Sequence, residues 1–290
     1  MKIAKILTTA ALLLSALTIK AQTDTNALLW EISGNGLEEP SYLFGILKFI
    51  PADKYYFPEN AEAALKKCKV VATETGLDHH SRHEMNKAAH LEHHQSIDEF
   101  IGDDYYKSLK SIFTTKLNVS DFKFNMVYSK FKPVMLSTTM TRLALGENIK
   151  FYELELTTKA HSMGLVTVSL ESIEKEITML EKMTLESQTN ALKHSIDNFD
   201  EQVADYKKLV DFYKDGNLHQ SLEYTLHPIE NDEKFVEHFI NERNAAWIPK
   251  IESYSKQAPT FYLLGVSHLA DEHGVIAKLR NQGYTVKAVQ

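Results

Sequence analysis

One cysteine, two tryptophans, seven prolines and eleven glycines are all that a chain of 290 residues contains of these types. With Cys68 alone, no internal disulfide can form and no cysteine-based zinc site can be assembled. Cys68 sits in ALKKCKVVATE, where an amphipathic helix gives way to an apolar strand, and reads as a packed core thiol. The scarcity of proline and glycine excludes collagen-like and low-complexity architectures. Excess positive charge is also missing: 32 Lys and Arg stand against 39 Asp and Glu, a net charge of −7. No stripe dense in Lys and Arg is present, so nothing in the chain is built to neutralise a phosphate backbone, and nucleic acid is not an expected partner.

Beyond the N-terminal segment no long apolar run occurs, so the mature chain is expected to have no transmembrane segment. The segment itself, MKIAKILTTAALLLSALTIKAQ, has Lys2 and Lys5 ahead of an apolar stretch from Ile6 to Ile19 and a small residue at Ala21. This predicts a signal peptide over residues 1–21 and a mature domain over residues 22–290, exported to the periplasm or secreted. Its removal takes three lysines and no acid, moving the net charge from −7 to −10. No cysteine lies near the cleavage point, so no lipid anchor is expected there.

What remains is an ordinary globular composition, 43% hydrophobic and 24% charged, long enough to bury a sizeable core. ALLWEIS alternates as a strand does, GNGLEEP turns, and SYLFGILKFI makes a second strand interrupted by Gly45. Residues 59–68 have helical spacing, and KVVATETG reads as a buried strand ending near Glu74. From Ser96 to Phe212 the pattern is mostly helical, with Gly102 and Asp103 at a helix start and Pro133 at a kink or boundary. GLVTVSLES is a short strand within that region. Residues 231–251 are helical again, APTFYLLGVSHLA is a strand and loop, and GVIAKLRNQGYTVKAV is a helix and a final strand. Strands thus cluster at both ends. The fold class expected is α/β, one domain with a sheet built from N- and C-terminal strands and a central helical region.

PSYLFGILK and PTFYLLGVSH echo one another: each runs from proline through an aromatic-rich strand to a glycine and three further residues. Such a strand can deliver the following side chain to the sheet edge, where α/β proteins place ligands. The stretches LLWEISGNGLEEPSYLFG, VVATE, FYELELTTKA, VSLESIEKEI, NERNAAWIPKI and FYLLGVSHLADEHGVIAKLRNQGYTVKAV are similar to the TraB/GumN family, which includes the Tiki-type proteins. The similarity covers nearly the whole chain from Leu28.

That resemblance implies two G-x-x-H motifs in a metal-dependent, hydrolase-like site flanked by glutamates and an arginine, with peptides a possible substrate class. By position, the second motif is Gly265-Val266-Ser267-His268 and the first is Gly45-Ile46-Leu47-Lys48, with lysine where the family has histidine. The resemblance also points to Glu74, Glu153, Glu171, Arg243 and Asn244 as site residues. His268 and Glu74 are the metal ligands it implies, for a divalent ion of unspecified identity. Two protein ligands fall short of the three that a catalytic zinc usually has. An ammonium carries no lone pair and repels a cation. Four outcomes stand open for Lys48: it pairs with Glu74 in a metal-free site, Glu153 or Glu171 completes a remodelled metal site, it acts as an acid or base, or it points into solvent.

The segment LDHHSRHEMNKAAHLEHHQS holds His79, His80, His83, His90, His93 and His94. If helical throughout, His79/His83 and His90/His94 are i,i+4 pairs able to chelate a transition metal. The alternative is a solvated polar segment that happens to be rich in histidine. Its place after Glu74 also makes a lid over the sheet edge conceivable. Two functions follow from these readings. One is an exported hydrolase weakened or inactivated by Lys48. The other is an envelope protein that binds a metal or ligand through the histidines or the altered cleft.

Overall fold

A computed structural model describes residues 27–93, 95–218, 220–221 and 233–290. The expected signal peptide and His94 lie outside these residues. Among the described residues there are eight strands: β1 (Leu29–Ser33), β2 (Ser41–Ile46), β3 (Ile50–Pro51), β4 (Val70–Thr73), β5 (Ile149–Lys150), β6 (Val166–Ser169), β7 (Thr260–Gly265) and β8 (Thr285–Ala288). The helices of the N-terminal half are α1 (Glu59–Leu65), α2 (His79–Ala88), α3 (Asp98–Ile101), α4 (Asp103–Ser111), α5 (Asp121–Met126) and α6 (Pro133–Ala144). Those of the C-terminal half are α7 (Tyr152–Ser162), α8 (Ile173–Glu181), α9 (Leu185–Asp197), α10 (Phe199–Lys214), α11 (Glu233–Phe235), α12 (Glu242–Gln257) and α13 (Val275–Asn281).

Six strands form one sheet in the order β6-β4-β7-β2-β1-β8. β6, β4, β7 and β2 run parallel, and β1 is antiparallel to both β2 and β8. The sheet therefore joins the two ends of the chain, as the strand pattern predicted. All six residues of β2 are buried, and β7 is buried up to Leu264. Continuous apolar runs of this kind belong to strands covered on both faces. β3 and β5 pair as a separate short ribbon, which the pattern did not suggest because each contributes only two residues.

The main core surrounds the sheet, with Trp30, Phe44, Leu43, Phe261 and Leu263 at or near zero exposure. A second cluster, including Phe113, Phe124, Leu136, Met140 and Leu192, fills the central helical region. Pro133 occupies the first turn of α6, where a missing N–H costs nothing, so it marks a boundary and not a kink. Gly102 has φ +80 between α3 and α4, a left-handed turn that glycine enters without strain. Among the described residues no helix is long and apolar enough to cross a membrane.

Candidate functional site

Parallel strands put their C-terminal ends on one edge of the sheet. Thr73 of β4 is level with Ser169 of β6, and Ile46 of β2 is level with Gly265 of β7. Glu74 follows β4, Glu171 lies two residues past β6, and His268 lies three past β7. The backbone N–H of Glu171 donates to the Glu74 carbonyl at 2.9 Å, which fixes the two strand ends together. Arg243 and Asn244 enter from the first turn of α12.

The glycines before the edge stand close to neighbouring side chains. A β-carbon on Gly265 would stand 3.3 Å from Glu74 Oε1 and 3.5 Å from the His268 ring. One on Gly45 would stand 2.8 Å from the Leu269 side chain and 3.2 Å from that of Val266. The Gly265 N–H instead donates to Glu74 Oε1 at 2.7 Å, and the Gly45 carbonyl accepts from Tyr213 Oη at 2.9 Å.

Arg243 is the centre of the arrangement and is fully buried. Its Nε donates to Glu171 Oε1 at 2.6 Å and its Nη2 to Glu74 Oε2 at 3.0 Å. Its Nη1 faces His268 Nε2 at 3.3 Å. Phe239 and Trp247, four residues to either side, place their rings 4.4 and 4.7 Å from the guanidinium carbon. A planar, permanently charged fork suits this position: it reaches three polar partners in its plane and stacks on two rings. A lysine ammonium could not do both.

His268 is 3% exposed and packs 4.6 Å, centroid to centroid, from Trp247. Asn244 Nδ2 donates to the His273 carbonyl at 3.0 Å, so its Oδ1 is left to accept from His268 Nδ1 at 2.7 Å. The imidazole proton is thereby assigned to Nδ1, and the lone pair of Nε2 meets the guanidinium N–H. Burial pushes the His268 pKa down to about 4, and Arg243 adds to the fall against the pull of Glu74. The ring is neutral at pH 7. Burial alone would raise Glu74, but the attraction of His268 and Arg243 and the Gly265 N–H hold it below the usual carboxylate range. For Glu171 burial wins over Arg243, and its pKa is raised. Behind the site Gly274 closes the loop. A β-carbon there would overlap the carbonyl oxygens of Leu269 and Ala270.

This edge opens into a cavity of about 420 Å³, within the range of small-molecule sites. Lys48, Glu74, Thr75, Glu153, Glu176, Ser267 and His268 line its polar side. Val134, Leu180, Leu209, Phe235 and Phe239 contribute apolar wall. Lys48 and His268 thus face one space. Lys48 is exposed, however, and among the described residues no ion pair holds it. The expected Lys48–Glu74 pair is not formed, because Arg243 already takes the Glu74 oxygen. Glu153, in the first turn of α7, is partly buried in the same wall. Burial and then the negative charge of Glu74 push its pKa up to about 8, with Lys48 opposing.

Sequence reading missed Glu176, which is buried and accepts from Thr75 Oγ1 at 3.0 Å. Its only signal was its position five residues after Glu171 within VSLESIEKEI. Phe239 and Trp247 were also missed as partners of Arg243, although the i,i+4 spacing through 239, 243 and 247 could have revealed them.

A sequence profile of the TraB/PrgY/gumN family matches residues 28–288. The chain belongs to that family. The matched span begins just before β1 and closes on the last residue of β8, so every strand of the sheet lies within the TraB/PrgY/gumN match. No curated protein and no solved structure gives a significant match to the chain.

The histidine segment does not act as one unit in this family member. Asp78 caps α2 by accepting from the Ser81 N–H, and α2 ends at Ala88. His79 and His83 stack in parallel with centroids 6.5 Å apart. His80 turns away to Glu174 Oε1 at 2.7 Å, and His90 packs edge-on against Phe131. The helix stops before His90, and His93 has φ +52; the expected His90/His94 pair involves a residue outside those described. Among the described residues no group of three or more His, Cys, Asp or Glu is disposed to hold a metal ion. Among the described residues of this segment, Met85 alone reaches the cavity wall.

Proposed function

We propose that this protein is exported and uses the cavity at the sheet edge to bind a small amphipathic ligand of peptide-like chemistry. In this reading it derives from metal-dependent hydrolases and has lost or weakened their activity, with Lys48 standing for a metal-binding histidine. The export reading rests on Lys2, Lys5 and the apolar stretch that follows them.

The observation that carries the loss is Arg243. The faces of His268 and Glu74 that would meet a cation, Nε2 and Oε2, are 3.8 Å apart and both receive its N–H groups. A divalent ion placed between them would stand against a buried, permanent positive charge. His268 Nδ1 is committed to Asn244, and Glu171 Oε1 to Arg243. The donor set as disposed does not fit a metal.

What the arrangement does supply is a fixed polar wall. Arg243 holds the Glu74 and His268 side chains in place from behind. Glu153, protonated at neutral pH, offers a carboxylic O–H. Lys48 brings a mobile cation to the mouth, opposite apolar side chains that a ligand would remove from water. Burial of apolar ligand surface is favourable at about 25 cal/mol per Å², and the polar groups set its orientation.

The test uses 8-anilinonaphthalene-1-sulfonate, a naphthalene and a phenyl ring joined through nitrogen, with one negative charge. The native protein is expected to bind one equivalent with enhanced fluorescence. Val134→Trp, which fills the cavity, should weaken binding about tenfold (~1.4 kcal/mol), with circular dichroism confirming the fold. Unchanged binding in Val134→Trp would show that the cavity is not the ligand site.

A further inference from the structure

The charges that line the cavity are unequally distributed. Three carboxyl groups reach it: Glu74 after β4, Glu153 in the first turn of α7 and Glu176 in the first turn of α8. Lys48, exposed at the mouth, is the one lysine or arginine among its described lining residues. Arg243 and the Gly265 N–H take both oxygens of Glu74, so that charge is answered within the protein. The other two acids are not answered in this way. Glu176 is 9% exposed, and its Oε2 accepts from Thr75 Oγ1 at 3.0 Å. Its Oε1 has no hydrogen-bond partner among the described residues, yet it is not one of the unpartnered atoms sealed from solvent. The Glu153 carboxyl group makes no hydrogen bond or ion pair with any described residue.

A first helical turn is an ordinary place for a carboxylate, because the helix dipole favours negative charge there. On an open surface water takes the free oxygens and nothing more is needed. These two acids line instead a cavity whose wall includes Val134, Leu209 and Phe239. Their charges also act on one another. Burial and then Glu74 push the Glu153 pKa up to about 8, and Glu176 adds to the rise against Lys48 and Arg243. A carboxyl group kept protonated by neighbouring carboxylates marks a place of negative potential. The group that suits such a place is a cation with N–H donors.

We propose that Glu153 and Glu176 form the polar end of the ligand site and receive a primary ammonium group of the ligand. The inference rests on the cavity being the ligand site. It narrows the ligand class to molecules that join an apolar stretch to an ammonium. A compact head with three N–H donors suits carboxyl oxygens that lack partners, and a charge-assisted hydrogen bond is about twice as strong as a neutral one. Contact with Glu153 places the ammonium under the attraction of Glu176 as well, since that charge already acts on Glu153. The proton that Glu153 holds at neutral pH passes to solvent as the ammonium pairs with it. A ligand carboxylate is disfavoured at this end, where it would meet acids of its own sign.

The experiment is calorimetric titration of the protein with octylammonium and with 1-octanol, its uncharged counterpart, in about 0.15 M salt, which screens the overall negative charge of the chain. Octylammonium is expected to bind about tenfold more tightly than 1-octanol, the margin of a hydrogen bond to a charged group. Glu153→Gln and Glu176→Gln should each remove most of that margin and leave 1-octanol unchanged. Glutamine keeps the side-chain volume and, at position 176, an oxygen for Thr75; thermal unfolding checks that both variants fold. Equal affinity of the two compounds for the parent protein, or a margin that survives both substitutions, would overturn the ammonium site while leaving the cavity as the ligand site. Failure of both compounds to bind, or octylammonium binding that is undiminished in Val134→Trp, would overturn the cavity reading and the ammonium site with it.

Discussion

Arg243→Met is expected to destabilise the fold by about 3–5 kcal/mol, the range found when one partner of a buried ion pair is removed. The side chain is fully buried and joins Glu171, Glu74 and His268. Methionine fills much of the volume between Phe239 and Trp247 but leaves two carboxyl groups without a counter-charge. Glu171 is 2% exposed and has no other route to water. The loss should shrink as pH falls and the carboxyl groups take up protons. Urea unfolding at pH 7.5 and pH 4.5 checks both the size and the trend. Arg243→Lys should recover only part of the loss, because one ammonium cannot reach three acceptors in a plane. A cost below about 1 kcal/mol, as for a surface ion pair, would mean that Arg243 does not hold the site together.

Glu153→Gln is expected to act in the opposite direction and only at higher pH. Its carboxyl pKa is pushed up to about 8 in the folded protein, against about 4.3 in an unfolded chain. Between these values the native state holds a proton that the unfolded state has released. Stability therefore falls as pH rises from about 4.5 to about 8. Glutamine copies the neutral acid and has no proton to lose. The variant should exceed the parent protein by about 2 kcal/mol at pH 8.5, a figure reduced from the full shift for the partial exposure of the group. At pH 4.5 the two should be nearly equal. His268 has the opposite sign: its pKa is depressed, so its contribution is lost as pH falls from about 6.5 toward 4. Taking the difference between variant and parent at each pH removes that contribution. Parallel stability curves would show that Glu153 is solvated and not held in the wall.

Glu74, Glu171, Arg243, Asn244 and His268 were legible in the sequence because each sits at a strand end or in the first turn of a helix, within a recognisable motif. Their convergence follows from four parallel strands presenting one edge. The partner choice was not legible. Lys48 and Arg243 are both cations aimed at the same edge, and only the packing of Arg243 between Phe239 and Trp247 decides which one takes Glu74. The histidine segment misled for a different reason. Spacing alone gives i,i+4 pairs over its whole length, but a helix lasts only as long as its backbone is satisfied, and this one stops at Ala88.

In the proposed reading Arg243 occupies the place a metal would need. The direct measurement is calorimetric titration of the mature protein with Zn²⁺ and Mn²⁺, beside His268→Ala and the double variant His79→Ala/His83→Ala. The prediction is that the His268→Ala variant binds as the parent protein does, and that any zinc uptake is confined to the exposed His79/His83 pair. One-to-one binding that disappears with His268→Ala would show that Arg243 does not exclude a metal and would restore the sheet edge as a metal site.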